Sequence, residues 1–216
     1  PCQTCSSCVK ISKLSHPDII LVFPTPSTSK EEEFFKYYER FKQEKIKEPY
    51  ALVEFEKNAL ISKERMNDLK REIFRRPYET KKKVVIINQA EKMMTNSFNS
   101  FLKVLEEPPA YAILILTTSQ PERLLPTVIS RCQKIRFGQL KPELIQAELV
   151  KRLNLDSKKA EFYAQISEGS LGYALDLASG KWDNLRELGL KYLEGIFTSD
   201  IGSVAPVIEE ILKNYS

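Results

Sequence analysis

Apolar positions along the chain follow two periods. Three short runs, residues 19–23, 84–87 and 113–116, are uninterrupted by polar side chains and bounded by polar turns. Parallel strands covered on both faces read this way. Between the second and third runs, Phe98, Phe101, Leu102 and Leu105 fall at helical spacing until Pro108 and Pro109 stop the helix. Strand, helix and strand make a βαβ unit, in which function gathers in the loops leaving the carboxyl ends of the strands. Those loops are residues 88–91 and 117–120, and the stretch 83–137 organises the chain.

Helical spacing fills most of the remainder. Val9, Ile11 and Leu14 are expected to face inward on a short helix ending near residues 15–18. Ser29 with Glu32 forms a capping box opening a helix on which Phe34, Tyr37, Tyr38 and Phe41 share one face and lysines and glutamates cover the other. Aromatics interleaved with lysines also suit a nucleic-acid surface, although a packing face with a solvated back is the plainer reading. Residues 50–56 are expected to form an edge strand or hairpin. Ser62 caps a helix that turns Met66, Leu69 and Ile73 to the core and ends before Pro77. Arg75, Arg76, Lys81, Lys82 and Lys83 then form a basic run, either a solvated connection or a phosphate contact. Beyond Gly138, the spacing of Leu140, Leu144, Leu149, Leu153, Phe162 and Ile166, with breaks at Gly169 and Gly180, predicts helices. Leu185, Leu188, Tyr192, Ile196, Val204 and Ile208 predict more.

At 216 residues, 42% hydrophobic and 29% charged, the chain can bury a real core and is expected to hold more than one domain. Its 33 basic and 29 acidic residues nearly balance, so the net charge of +4 does not demand nucleic acid. No apolar run reaches membrane-spanning length, and no signal-peptide pattern opens the chain. A start at Pro1 with a cysteine cluster at once is expected of a piece whose upstream part has been removed.

Cys2, Cys5 and Cys8 form C-x2-C-x2-C, and Cys132 stands alone far downstream. Such spacing points to a metal more than to disulfides, but structural zinc takes four ligands and three lie here. Zinc with a fourth ligand from upstream, or unliganded surface thiols, both remain open. His16, the only histidine, reads as a loop residue near this module; no second histidine or cysteine pairs with it for catalysis. A phosphate-binding loop of the G-x-x-x-x-G-K-[ST] kind is missing, because no glycine precedes Gly138.

The phrases VIINQAEKM, FLKVLEEPP and ILTTSQPERLLPTVISRCQKIRF, at their spacing, resemble the AAA+ core of bacterial DNA polymerase III clamp-loader subunits, most of all the delta prime type. The resemblance spans roughly residues 1–180. It implies an α/β fold with an AAA+ type parallel-sheet core over 1–138 that carries the cysteine module and lacks the phosphate-loop segment. A helical lid over 139–180 and the start of a helical collar over 181–216 would follow. Active members place Asp and Glu after the central strand, to hold magnesium and orient water; Asn88 and Gln89 stand there. Thr118 matches the polar sensor position, and Gly172 stands where the lid motif carries a nucleotide-reading arginine. No ATP is therefore expected on this chain.

Ser130 and Arg131, in the sequence Ser130-Arg131-Cys132, match the arginine finger that such subunits insert into a neighbour's ATP site. Without the resemblance, a surface arginine in an intramolecular salt bridge is the plainer reading. In relatives the cysteine module binds a structural zinc with a further upstream cysteine. The resemblance implies a cytoplasmic, non-hydrolysing subunit in a hetero-pentameric ring with gamma/tau-like and delta-like partners. Contact with sliding clamp and primer-template DNA would be indirect. An ATP-hydrolysing gamma/tau-like subunit truncated upstream is the alternative, and a zinc-dependent nucleic-acid binder is a third.

Overall fold

The computed structural model describes residues 2–26, 31–53, 55, 59–198 and 201–215. The chain divides into two compact units, one of Pro1–Pro49 with Val53–Arg136 and one of Tyr50–Leu52 with Phe137–Ser216.

The first unit is built on three parallel strands in the order β1 (Ile19–Val22), β2 (Lys83–Ile87) and β3 (Ala112–Leu116). Ile19 lies opposite Val84, and Lys83 opposite Ala112. Parallel neighbours need crossovers. After α1 (Ser6–Ser12), helices α2 (Glu31–Lys47) and α3 (Lys63–Ile73) connect β1 to β2, and α4 (Thr95–Glu106) connects β2 to β3. Val22, Val85 and Ile87 from the strands, Met66, Leu69 and Ile73 from α3, and Phe98, Phe101, Val104 and Leu105 from α4 form one buried core. The helical spacing of α3 and α4 is what aims those side chains to one side. Ser62 caps α3 by accepting from the Arg65 amide at 3.2 Å.

The aromatic stripe of α2 packs inward. Phe41 stacks on Phe23, just past β1, at 4.0 Å between centroids, and Tyr38 and Phe55 stack on the same ring at 6.0 and 5.7 Å. Stacking of this kind adds to the area buried. Ser29 of the expected capping box lies outside the described residues.

Four expectations need correction. Val9 and Ile11 are 37% and 44% exposed, because α1 is a short helix with no buried residue. The sheet is not covered on both faces at β3, where Ile113 and Ile115 are 44% and 42% exposed on the edge strand. In the 50–56 region the described residues form no strand; Thr25 and Leu60 instead make an isolated antiparallel bridge. Lys83 does not belong to a solvated basic run. It is fully buried on the same face of β2 as Val85 and Ile87. Its Nζ donates to the Glu72 carbonyl at 2.7 Å and lies 5.7 Å from the Tyr78 ring centroid. A cation there sits at the negative end of the α3 dipole, on a carbonyl that also accepts from the Arg75 amide at 3.2 Å.

Asp18, just before β1, anchors the chain entering β2. Its buried carboxylate accepts from the amides of Tyr78, Glu79 and Thr80 at 2.5, 2.9 and 2.8 Å, and from Thr80 Oγ1 at 3.0 Å. Burial works to raise its pKa, but those donors outweigh burial and hold it at about 2.

In the second unit, α6 (Pro142–Leu153), α7 (Ser157–Ile166) and α8 (Leu171–Ala178) enclose Ile145, Leu149, Ala160, Ala164 and Ala174. Asp156 and Ser170 cap α7 and α8 through the Lys158 and Tyr173 amides. Helices α9 (Asp183–Phe197) and α10 (Ile201–Tyr215) pack along each other. Among the described residues no helix is long and apolar enough to cross a membrane.

Candidate functional site

The carboxyl ends of β2 and β3 bring Asn88, Gln89 and Thr118 to one side of the sheet. The backbone there is fixed: the Asn88 amide donates to the Val22 carbonyl at 2.8 Å, and the Ala90 amide to the Thr117 carbonyl at 2.9 Å. Gln89 has φ 52° and ψ 56°, a left-handed conformation that a residue with a Cβ adopts only when its surroundings impose it. A 3-10 turn over Ala90–Lys92 follows at once.

The polar groups of this corner engage one another. Thr117 Oγ1 donates to Asn88 Oδ1 at 2.8 Å, and Thr118 Oγ1 accepts from the Gln120 amide at 3.0 Å. Ser119 Oγ donates to Glu91 Oε1 at 3.3 Å, while Glu91 Oε2 and Gln120 Oε1 are buried with no partner among the described residues. Neutral amides at Asn88 and Gln89 lack the charge that a magnesium ion and an attacking water need. Thr117 contacts Asn88 directly; the sequence marked its loop, 117–120, but singled out Thr118 within it, because a threonine after an apolar run carries no distinctive signal.

Ser130 and Arg131 lie elsewhere, just past the short helix α5 (Pro126–Ile129). Arg131 Nε donates to Glu106 Oε1 at 2.7 Å, and Nη2 forms an ion pair with the same oxygen. Nη1 donates to the Thr127 carbonyl at 2.7 Å and lies 3.5 Å from Ser130 Oγ. The Arg131 side chain is 32% exposed. Among the described residues no hydrogen bond or ion pair links it to Asn88, Gln89 or Thr118. Glu106, the carboxylate that holds it, sits in the LEEPP phrase of the sequence; a glutamate at a helix end gave no sign of a partner 25 residues away. Cys132 next door packs against the core, and burial raises its pKa, so it is poorly suited to ligate or attack.

Gly172 opens α8 in the second unit. A Cβ there would stand 2.3 Å from the Tyr50 carbonyl oxygen, so any side chain, an arginine included, requires the backbone to shift.

At the N-terminus, the sulfurs of Cys2, Cys5 and Cys8 lie within 4.8 Å of one another. Cys2 Sγ and Cys8 Sγ are 3.8 Å apart, about the sulfur–sulfur edge of a tetrahedron with zinc–sulfur bonds of roughly 2.3 Å. The Cys5 amide, donating at 3.3 Å, is the main cause that lowers the Cys2 pKa to about 6, which favours the thiolate that a metal takes. At Cys5 the Cys8 amide works to lower the pKa, yet hydrogen bonding to the Cys2 and Cys8 thiols leaves it raised. The three thiols fit a tetrahedral ion that draws a fourth ligand from elsewhere. His16 is not part of this group. It is buried, its Nδ1 accepts from the Asp18 amide at 3.1 Å, and its Nε2 has no partner among the described residues.

Residues 1–141 match the family described as DNA polymerase III, delta subunit. The DNA polymerase III subunit delta' of Bacillus subtilis (strain 168) is 32% identical over 152 residues, covering 70% of this chain and 36% of that protein. The DNA polymerase III subunit gamma/tau of Mycoplasma genitalium is 35% identical over 138 residues, covering 62% of this chain and 21% of that protein. The chain therefore spans about a third of the length of the first relative and about a fifth of the second. Among solved structures, a gamma subunit-related protein of Thermotoga maritima superposes with a TM-score of 0.45 at 20% identity, covering 96% of this chain and 77% of that one.

Proposed function

This chain belongs to the DNA polymerase III delta subunit family, and from that premise we propose that it works as a delta-prime-like subunit of a clamp-loader assembly. It hydrolyses no ATP itself and presents Arg131 to the ATP site of a neighbouring subunit. The observation that carries this reading is the separation of the two groups. Among the described residues a partly exposed guanidinium stands past α5 with no hydrogen bond or ion pair to its own sheet's site, while the two positions directly after β2 hold the neutral Asn88 and Gln89. A permanently charged, forked donor suits the charge that develops on a transferring phosphoryl group. Residues 139–180 then serve as a lid and 181–216 begin the collar through which gamma/tau-like and delta-like partners close a ring. The ring acts on a sliding clamp and primer-template DNA in the cytoplasm, with a structural zinc at Cys2, Cys5 and Cys8.

The test uses the full-length protein in a reconstituted assembly. Arg131→Ala should leave folding and assembly intact, since an exposed ion pair contributes at most about 1 kcal/mol. Hydrolysis at the neighbouring site should fall by on the order of 10³. Arg131→Lys should be nearly as damaging, because a point charge cannot reproduce the fork. Normal clamp loading by an assembly carrying Arg131→Ala would refute the role. The similarity to gamma/tau subunits favours a second reading, an ATPase in its own right. Magnesium-dependent turnover by the full-length protein alone, abolished by Asn88→Ala, would establish it.

A further inference from the structure

We infer that Glu106 is a positioning residue that aims Arg131, an inference that rests on the trans-finger reading above. A guanidinium carries five N–H donors in one plane. The one on Nε goes to Oε1 of Glu106, with which Nη2 also forms an ion pair, and one on Nη1 goes to the Thr127 carbonyl. Nη1 also donates to Ser130 Oγ in a long hydrogen bond of 3.5 Å. Among the described residues no other acceptor reaches the group, so with both Nη1 contacts counted the N–H open to a ligand lies on Nη2. A charged N–H held in place is what contact with a phosphate oxygen takes.

Glu106 can fix this orientation because its own position is fixed. It is the last residue of α4, whose Phe98, Phe101, Val104 and Leu105 are locked in the core, and Pro108 and Pro109 end the helix directly after it. The pair is too exposed to matter for stability, with Glu106 45% and Arg131 32% accessible. Its effect lies in holding a long, rotamer-rich side chain in one geometry before a ligand arrives, so that ordering costs less in the transition state.

The experiment uses the full-length protein in an assembly whose only competent ATP site is the one next to it. Glu106→Ala should lower kcat there by about 10- to 100-fold with KM for ATP unchanged, since the finger is present but unaimed. Melting temperature and assembly should stay as in the wild type. Glu106→Gln should restore most of the rate, because the contacts from Nε and Nη2 fall on one oxygen and the amide oxygen of glutamine can stand in its place. A wild-type kcat in Glu106→Ala, while Arg131→Ala is inactive, overturns the aiming role and leaves the finger standing. Wild-type rates in both variants sink the finger as well. If Glu106→Gln is as slow as Glu106→Ala, or if Glu106→Ala fails to assemble, charge or scaffold explains the residue and the inference is overturned.

Discussion

Replacing Asp18 by alanine should cost the first unit about 3 kcal/mol at neutral pH, and the cost should shrink as the pH falls. The carboxylate accepts three backbone amides and one hydroxyl from residues 78–80, sixty positions away in the chain. Its pKa is lowered from 3.8 to about 2, a difference that corresponds to roughly 2 kcal/mol favouring the ionised folded state. The remainder comes from hydrogen bonds that even a neutral acid would make. Because the folded pKa is the lower one, this stabilisation is complete above the unfolded value near 4, and it disappears as the pH falls through about 2. Roughly half of the ionic part is gone at pH 3. Urea titrations of wild type and Asp18→Ala between pH 7 and pH 3 measure the effect. Far-UV circular dichroism is the signal, since the single tryptophan of this sequence, Trp182, lies in the second unit. Hydrogen exchange at the Tyr78, Glu79 and Thr80 amides supplies the local readout. A penalty that is the same at pH 7 and pH 3, or unaltered exchange at those three amides, would refute the reasoning.

The cysteine module should carry one zinc per full-length chain purified without chelator, lost on Cys5→Ser. Removal should loosen α1 while sparing the sheet, because metal binding is coupled to local folding; elemental analysis without zinc ends the idea. Gly172→Ala should destabilise the second unit by about 1–3 kcal/mol, because its Cβ meets the Tyr50 carbonyl oxygen at 2.3 Å. An unchanged denaturation midpoint by Trp182 fluorescence would show that residues 50–52 yield without cost.

Short-range chemistry settled a good part of this protein. Apolar runs marked all three strands, helical spacing picked Met66, Leu69, Ile73, Phe98 and Phe101 as core, and Ser62 acted as the cap it resembles. Each of these depends on residues within a turn or two, so a linear reading reaches them. The cysteine cluster was legible for the same reason, its thiols being gathered by one short turn and helix. Long-range closure settled the rest. Lys83 looks like one more solvated lysine until strand alternation turns it inward against the end of α3. Asp18 and Glu106 are ordinary carboxylates in sequence, and their roles come from donors 60 and 25 residues away. Exposure was equally out of reach: Val9 and Ile11 are apolar but lie on a helix with no core to face, and Ile113 and Ile115 lie on an edge strand. The sequence states that position 172 lacks an arginine. Only the fold, by placing a backbone oxygen where a Cβ would stand, decides that no side chain fits there without a shift of the backbone. A residue type limits which partners are possible, and the packed chain selects among them, because a buried charge or amide must be satisfied wherever folding leaves it.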